Sequence, residues 1–167
     1  MKVKYSYLEE QFRDHQAIFN EIDKLIGTGD YTLGKPVEEF ENRFAKLLGA
    51  HHGIGVNSGT DALFLSLKAI GVGAGDEVIT TPNTFIATVG AIMASGARPV
   101  FVDILDDYNI DPSLIEGAIT SHTKALIPVH YAGNPADMPE IMKIAAKHNL
   151  PVIEDSCQAI GAAINNK

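Results

Sequence analysis

A chain of 167 residues is long enough to form one domain of ordinary size with its own hydrophobic core. Its formal net charge of -8 and its lack of a basic cluster argue against a nucleic-acid partner, because phosphate-backbone binding needs a concentrated Lys and Arg surface. A single cysteine, Cys157, allows no internal disulfide, which fits a reducing, cytoplasmic setting. The first ten residues do not resemble a signal peptide, and no stretch approaches the roughly 20 apolar residues of a membrane span.

Apolar spacing predicts two helices in the first third of the chain. The first covers residues 7–26, with Gly27 and Gly29 at its end. The second begins at Pro36 and closes at Gly49, with its apolar side chains on one face.

Short β-rich runs then alternate with helical patterns. The predicted strands are 52–57, 77–81, 98–102, 124–129 and 150–154, and the predicted helices are 60–70, 84–95, 112–119 and 136–149. This order favours an α/β fold, with a mostly parallel sheet covered by helices on both faces in a three-layer α/β/α sandwich. Ligands of such sheets bind at the carboxyl ends of the strands, here after Asn57, Thr81 and Glu154. Because the last strand ends about a dozen residues before Lys167, we expect an incomplete domain.

The turn at residues 57–61 (NSGTD) is the first candidate binding feature. Ser58 and Thr60 offer hydroxyls, Gly59 permits close backbone approach, and the following helix presents free amides and a positive dipole end, all of which suit a phosphate. An ordinary helix N-cap explains the same residues. No Gly-Lys-Ser/Thr follows, so this is not a Walker loop, and the Gly-x-Gly spacing from Gly53 meets Ser58 where a dinucleotide-binding turn needs glycine.

The strand at 150–154 runs into two carboxylates, Glu154 and Asp155. A carboxylate at the end of a buried strand needs a partner, and a protonated pyridine nitrogen is one. A cap for the following segment is an equally good explanation, whereas a metal site lacks further ligands at suitable spacing. Phe85, after the strand at 77–81, either stacks on a flat cofactor or belongs to the core.

Two further residues invite functional interpretation. His130 follows a predicted strand end, where either a site role or a hydrogen-bonded structural role is open. Cys157 has no His or Cys partner in the sequence, so it is interpreted as a small packing residue and not as a nucleophile.

Six motifs, in order, resemble the DegT/DnrJ/EryC1/StrS family of sugar aminotransferases, and the resemblance covers essentially the whole chain. They are 31–34 (YTLG) with 38–41 (EEFE), 57–63 (NSGTDAL), 73–79 (GAGDEVI), 82–88 (PNTFIAT), 128–133 (PVHYAG) and 154–162 (EDSCQAIGA).

The resemblance implies a pyridoxal 5'-phosphate (PLP) site. Ser58, Gly59 and Thr60 would hold the cofactor phosphate, Phe85 would stack on the pyridine ring, Asp155 would pair with the ring nitrogen and Gln158 would contact the ring hydroxyl. No metal is implied. The implied fold is the PLP-dependent transferase fold type I. Residues 1–167 would be the N-terminal portion of its PLP-binding large domain, without the C-terminal remainder and the small domain. Such enzymes usually act as homodimers.

The implied reaction is transfer of an amino group from glutamate or glutamine to a nucleotide-linked keto-deoxy sugar. A PLP-dependent sugar dehydratase and a non-catalytic regulatory member of the same family are the alternatives. The family's Schiff-base lysine would lie beyond residue 167, because Lys167 is too close to Asp155 and Lys124, Lys143 and Lys147 lie in other contexts. We therefore expect no catalytic residue within 1–167, an inactive isolated chain and an active full-length parent.

Overall fold

Helices dominate the first part of the chain. In the computed structural model, which describes residues 6–165, the chain divides into two compact units, Met1–Gly55 and Val56–Lys167. The first unit contains helices α1 (Leu8–Gln11), α2 (His15–Thr28) and α3 (Lys35–Leu48). Left-handed glycines end the two longer helices, Gly29 at φ 70° after α2 and Gly49 at φ 64° after α3.

The single helix predicted over 7–26 is wrong, because the chain breaks between α1 and α2. The apolar spacing contains the reason. Phe12 is followed by Ile18, a step of six residues, so no continuous apolar stripe crosses the break. Gly27 lies inside α2, and Gly29 alone ends the helix.

The strand predicted at 52–57 is also wrong, because the structure assigns these residues no regular element. Within the first unit, the Gly55 amide bonds to the side chain of Glu41 and not to a neighbouring strand. The Glu41 side chain accepts this hydrogen bond at 2.6 Å, and the Glu41 carbonyl oxygen would lie 2.5 Å from a Cβ at position 53. Gly53 and Gly55 therefore allow the backbone to approach α3 closely. Glycine also disfavours strand formation, which agrees with the missing strand.

The second unit is built on a parallel sheet. Its strands are β1 (Glu77–Thr80), β2 (Arg98–Phe101) and β3 (Thr123–Leu126), in the order β2-β1-β3. The segment predicted as the last strand runs parallel to β3 and its extension. It forms bridges at two points, Leu126 with Val152 and Val129 with Asp155.

The helices of this unit are α4 (Gly59–Ala69), α5 (Ile86–Ala94), α6 (Pro112–Ala118) and α7 (Met138–His148). Helix α5 connects β1 to β2, and α6 connects β2 to β3. Alternate residues of β1 point to opposite faces, and two separate cores form there. On one face Val78 packs with Leu67 of α4 and Ile92 of α5. On the other, Ile79 packs in the cluster that contains residues of α6 and α7, among them Ile115 and Ile141.

Helices therefore cover both faces of a parallel sheet, which confirms the predicted α/β class with three layers. The predicted helices and strands from residue 60 to residue 149 all form, with ends shifted by up to three residues. Across residues 6–165, no helix combines the length and the apolar character needed to cross a bilayer.

Candidate functional site

Asp155 lies at the carboxyl end of the sheet. Its backbone amide donates to the Pro128 carbonyl at 2.9 Å, and its carbonyl accepts from the His130 amide at 3.1 Å. These bonds continue the parallel pairing beyond β3 and fix the backbone from which the side chain projects. Only 7% of the residue is exposed. A carboxylate is therefore found at the position predicted from the sequence, and it is nearly buried.

The carboxylate of Asp155 is held by neutral donors. The Thr88 hydroxyl donates to Oδ2 at 2.7 Å, and the Cys157 amide donates to Oδ1 at 3.3 Å. Within residues 6–165, Asp155 takes part in no ion pair with a Lys, Arg or His side chain. A carboxylate has about four acceptor positions, so two neutral donors leave capacity for a cationic ligand.

The N-terminus of α4 lies beside the same segment. Ser58 is the N-cap, and its hydroxyl accepts from the Asp61 amide at 3.1 Å. A Cβ at position 59 would lie 3.0 Å from Cys157 Sγ, so Gly59 allows the turn to approach the residues that follow Asp155. Thr60 is exposed in the first turn of the helix. The structure therefore brings both sequence-predicted features, the 57–61 turn and the Asp155 segment, to one place.

Gln158 is oriented by a neighbouring loop. Its Oε1 accepts a hydrogen bond from the Ala132 amide at 2.8 Å. Ala132 has φ 52°, inside the short 3-10 turn Tyr131–Gly133, and a Cβ at Gly133 would lie 3.3 Å from the Gln158 carbonyl. Because Oε1 is the acceptor in this contact, the NH2 group of Gln158 is presented elsewhere as a donor.

Phe85 precedes α5, at the end of the loop that follows β1. It is 67% exposed and therefore does not belong to the core. Its carbonyl accepts from the Thr88 amide at 3.1 Å, so Phe85 and the threonine that contacts Asp155 share one helical turn. An exposed aromatic ring at a strand end is available for stacking, and the stacking itself stays a prediction.

His130 has a structural role. The ring is 5% exposed, and Nδ1 accepts from the Ala136 amide at 3.1 Å. Nε2 therefore carries the proton and donates to Glu154 Oε2 at 2.9 Å. This hydrogen bond holds the pKa of Glu154 below its usual value, although partial burial opposes the shift. Of the two roles left open for His130 by the sequence, the hydrogen-bonded structural one agrees with these contacts.

Cys157 differs from the packing residue that the sequence suggested, because the structure leaves it exposed. Desolvation of the thiol raises its pKa, and the neighbouring Asp155 carboxylate raises it further. A raised pKa disfavours the thiolate, so the expectation that Cys157 is not a nucleophile agrees with its surroundings.

Metal ligands and the terminal lysine complete the site inventory. Among the residues that the structure describes, no three His, Cys, Asp or Glu side chains come together as a possible metal site. Lys167, which is not expected to be the catalytic lysine, lies outside the described residues.

Thr88 is a site residue that the sequence did not predict. The residue is fully buried in α5, which is otherwise strongly apolar, and its hydroxyl contacts Asp155 across 67 residues of sequence. A lone polar residue on the buried face of an apolar helix needs a hydrogen-bond partner, and that pattern could have identified it.

The donor set fits a phosphorylated pyridine cofactor. The N-terminus of α4, where Gly59 leaves room for close approach, suits the phosphate. The nearly buried Asp155 carboxylate, which has no ionic partner among the described residues, suits a protonated ring nitrogen. The NH2 group of Gln158, whose Oε1 already accepts from Ala132, suits a ring oxygen. All three lie in the second unit.

Comparisons with known proteins agree with this geometry. The chain is 47% identical over 169 residues to a pleiotropic regulatory protein of Geobacillus stearothermophilus, a match that covers 100% of this chain and 45% of that protein. It is 51% identical over 151 residues to the UDP-N-acetyl-3-dehydro-alpha-D-glucosamine 3-aminotransferase of Acidithiobacillus ferrooxidans, covering 90% of this chain and 41% of that protein. The crystal structure of NtdA from Bacillus subtilis with bound cofactor PMP superimposes with a TM-score of 0.88 at 43% identity, covering 89% of this chain and 34% of NtdA.

The chain thus spans less than half the length of these relatives. Residues 13–167 match the model of the DegT/DnrJ/EryC1/StrS aminotransferase family. The chain belongs to the DegT/DnrJ/EryC1/StrS aminotransferase family.

Proposed function

We propose that the protein to which this chain belongs is a PLP-dependent aminotransferase that transfers an amino group from glutamate or glutamine to a nucleotide-linked keto-deoxy sugar. Residues 1–167 supply the N-terminal portion of the PLP-binding large domain. The full-length form acts as a cytoplasmic homodimer. The observation that carries the proposal is the nearly buried Asp155 carboxylate, held by Thr88 beside the α4 N-terminus.

Each predicted contact has a physical basis in this geometry. The α4 N-terminus, through Ser58, Gly59 and Thr60, holds the phosphate with free amides and the positive end of the helix dipole. Asp155 keeps the ring nitrogen protonated, and the Gln158 NH2 donates to the ring oxygen.

Phe85 covers one face of the ring and excludes water from it. When bound, the cofactor supplies an electron-withdrawing ring that accepts negative charge from the reacting carbon. The protein binds that ring, orients it and keeps its nitrogen protonated.

The substrate class follows from the relatives. The Acidithiobacillus ferrooxidans protein is named for a UDP-linked dehydro sugar. We propose the same class for this protein, a keto group on a nucleotide-linked sugar. An acidic chain without a basic cluster is compatible with such a ligand, since backbone amides can bind its phosphates.

We propose further that the isolated 167-residue chain holds the cofactor without turning over substrate. Transamination needs a lysine to anchor the cofactor and to move a proton. Lys124 is in β3, and Lys143 and Lys147 are in α7, none of them at the carboxyl ends of the strands. Turnover by the 167-residue chain in a steady-state transamination assay would refute this part of the proposal.

A regulatory role is the second candidate function. The Geobacillus stearothermophilus relative, which matches the whole chain, is named as a pleiotropic regulatory protein. A regulator that has lost cofactor chemistry would not need the Thr88–Asp155 contact or the close approach at Gly59. Their presence favours the aminotransferase.

Pyridoxamine phosphate (PMP) provides the binding test, because it needs no covalent anchor. Equilibrium dialysis of the 167-residue chain against PMP should show saturable binding. Asp155→Asn should weaken it roughly tenfold to a hundredfold, the range expected for a lost charge-assisted hydrogen bond. Asp76→Asn is the control, because Asp76 lies in the turn before β1, at the amino end of the strands. This variant should bind PMP like the unchanged chain. Equal affinity in all three proteins would refute the site.

The reaction needs the full-length protein. With glutamate or glutamine and a nucleotide-linked keto sugar, it should yield the amino sugar and the matching keto acid. Release of water from the sugar without amino transfer would indicate the dehydratase instead. Cofactor binding without either reaction would favour the regulator.

A further inference from the structure

The Thr88 hydroxyl is the closest contact of the Asp155 carboxylate. The two oxygens lie 2.7 Å apart, Thr88 is 0% exposed, and Asp155 is 7% exposed. Resting on the proposed cofactor site, we propose that Thr88 is a positioning residue, which orients the Asp155 carboxylate toward the pyridine nitrogen. Thr84, which lies just before α5, contributes a second hydroxyl that contacts Thr88.

The direction of the hydrogen bonds can be worked out from the two contacts. Thr84 and Thr88 hydroxyl oxygens lie 2.7 Å apart. An ionised carboxylate only accepts, so the single Thr88 proton points at Asp155. The proton in the Thr84–Thr88 contact must then come from Thr84. The result is a chain in which Thr84 donates to Thr88 and Thr88 donates to Asp155.

Such a chain has two effects on the carboxylate. Successive hydrogen bonds polarise one another, so the Thr88 bond is strengthened by the Thr84 donor behind it. The Thr88 hydroxyl occupies one acceptor position of Oδ2, and the Cys157 amide, at 3.3 Å, occupies one acceptor position of Oδ1. The remaining acceptor positions are the ones left for a ligand. A ligand that donates from a protonated nitrogen therefore meets a carboxylate already held by two hydrogen bonds.

Thr88 also ties this carboxylate to Phe85. The Thr88 amide donates to the Phe85 carbonyl at 3.1 Å, in the first turn of α5. One helical turn thus carries the aromatic side chain proposed to stack on the ring and the hydroxyl that orients the group proposed to bind its nitrogen. A shift of this turn would move both contacts together.

The test compares Thr88→Val with Thr88→Ser. Valine has the shape of threonine without the hydroxyl, so it leaves Oδ2 without its donor, whereas serine keeps the donor. In equilibrium dialysis of the full-length protein with PMP, Thr88→Val should weaken binding roughly tenfold or more, and Thr88→Ser should keep most of the affinity. Failure of the unchanged full-length protein to bind PMP would refute the proposed function. Normal binding by the valine variant would refute only the role of Thr88.

A spectroscopic measurement separates positioning from general loss of structure. The ring nitrogen of 15N-labelled PMP reports its own protonation through its chemical shift. The unchanged chain and Thr88→Ser should give the shift of a protonated nitrogen. Thr88→Val, saturated with PMP, should move toward the unprotonated value. An unchanged shift at saturation would contradict the inference.

Thr84→Val provides a second variant if the buried valine at position 88 prevents folding. Thr84 is half-buried and lies before the first residue of α5, so its replacement spares the helix core. It removes the donor behind Thr88 and should shift the nitrogen resonance in the same direction by a smaller amount. No shift in this variant would refute the hydrogen-bond chain.

Discussion

The two ring nitrogens of His130 make separate contacts, which can be removed one at a time. Asparagine places its oxygen near the position of Nδ1, and glutamine places its NH2 near that of Nε2. His130→Asn therefore keeps the acceptor for the Ala136 amide and gives up Glu154. His130→Gln keeps the donor to Glu154 and gives up the Ala136 amide.

The structure ranks the two losses. Ala136 is 0% exposed, so its orphaned amide costs about 1–3 kcal/mol in His130→Gln. The Glu154 side chain is 50% exposed, and water replaces its lost partner, so His130→Asn should cost less than about 1 kcal/mol from that contact. Glutamine should therefore be the more destabilising change, although it is the closer match to histidine in length.

Urea unfolding followed by circular dichroism measures this difference. His130→Gln should have the lower midpoint at an unchanged denaturant slope. His148→Ala serves as a control, because His148 pairs with the exposed Glu116 and should change the midpoint least. If His130→Asn is the less stable of the two His130 variants, the assignment of Nδ1 as the structural acceptor is wrong.

Three further predictions concern Glu154, Gly59 and Gln158. The pKa of Glu154 is lowered in the folded protein, so its hydrogen bond from His130 stabilises the fold fully above the unfolded pKa near 4.5. This stabilisation is lost as the pH falls through the folded pKa. Glu154→Gln should therefore flatten this part of the pH dependence of stability, measured by urea unfolding at a series of pH values. Gly59→Ala should weaken PMP binding in dialysis, because the new Cβ would press on Cys157 Sγ at 3.0 Å and separate α4 from the Asp155 segment, and adding Cys157→Ala should restore binding. Gln158→Glu keeps an oxygen for its backbone donor but replaces the NH2 by a carboxylate oxygen, so PMP affinity should fall about tenfold while the urea midpoint stays the same.

Local patterns were sufficient to predict the helices and strands between residues 60 and 149, whereas the predicted strand at 150–154 forms only isolated bridges. Each of those elements carries its own apolar spacing and its own end signals, as with Ser58 before α4. The prediction at 52–57 failed because a strand depends on a partner, and Gly55 bonds to a glutamate side chain instead. Strand pairing is a property of distant residues, which a short window of sequence does not contain.

The same distinction applies to the site. The position of Asp155 followed from the rule that parallel strands place ligands at their carboxyl ends. The rule does not account for Gly59, because the strand predicted before it does not form. The Thr88–Asp155 bond joins residues that only the packing of α5 against the sheet brings together. The left-handed conformation of Ala132, which directs its amide to Gln158, also leaves no mark in the residue type.

Strand β2 has a consequence for self-association. Arg98 and Val102 donate their amides inward to the β1 side, to Asp76 and Thr80, each at 2.9 Å. Because directions alternate along a strand, position 99 faces outward, and there the residue is Pro99, which has no amide proton. The outward-facing side of β2 therefore lacks one backbone N–H donor, at Pro99, near the start of the strand. Pairing of another strand along this side, and aggregation through it, is disfavoured.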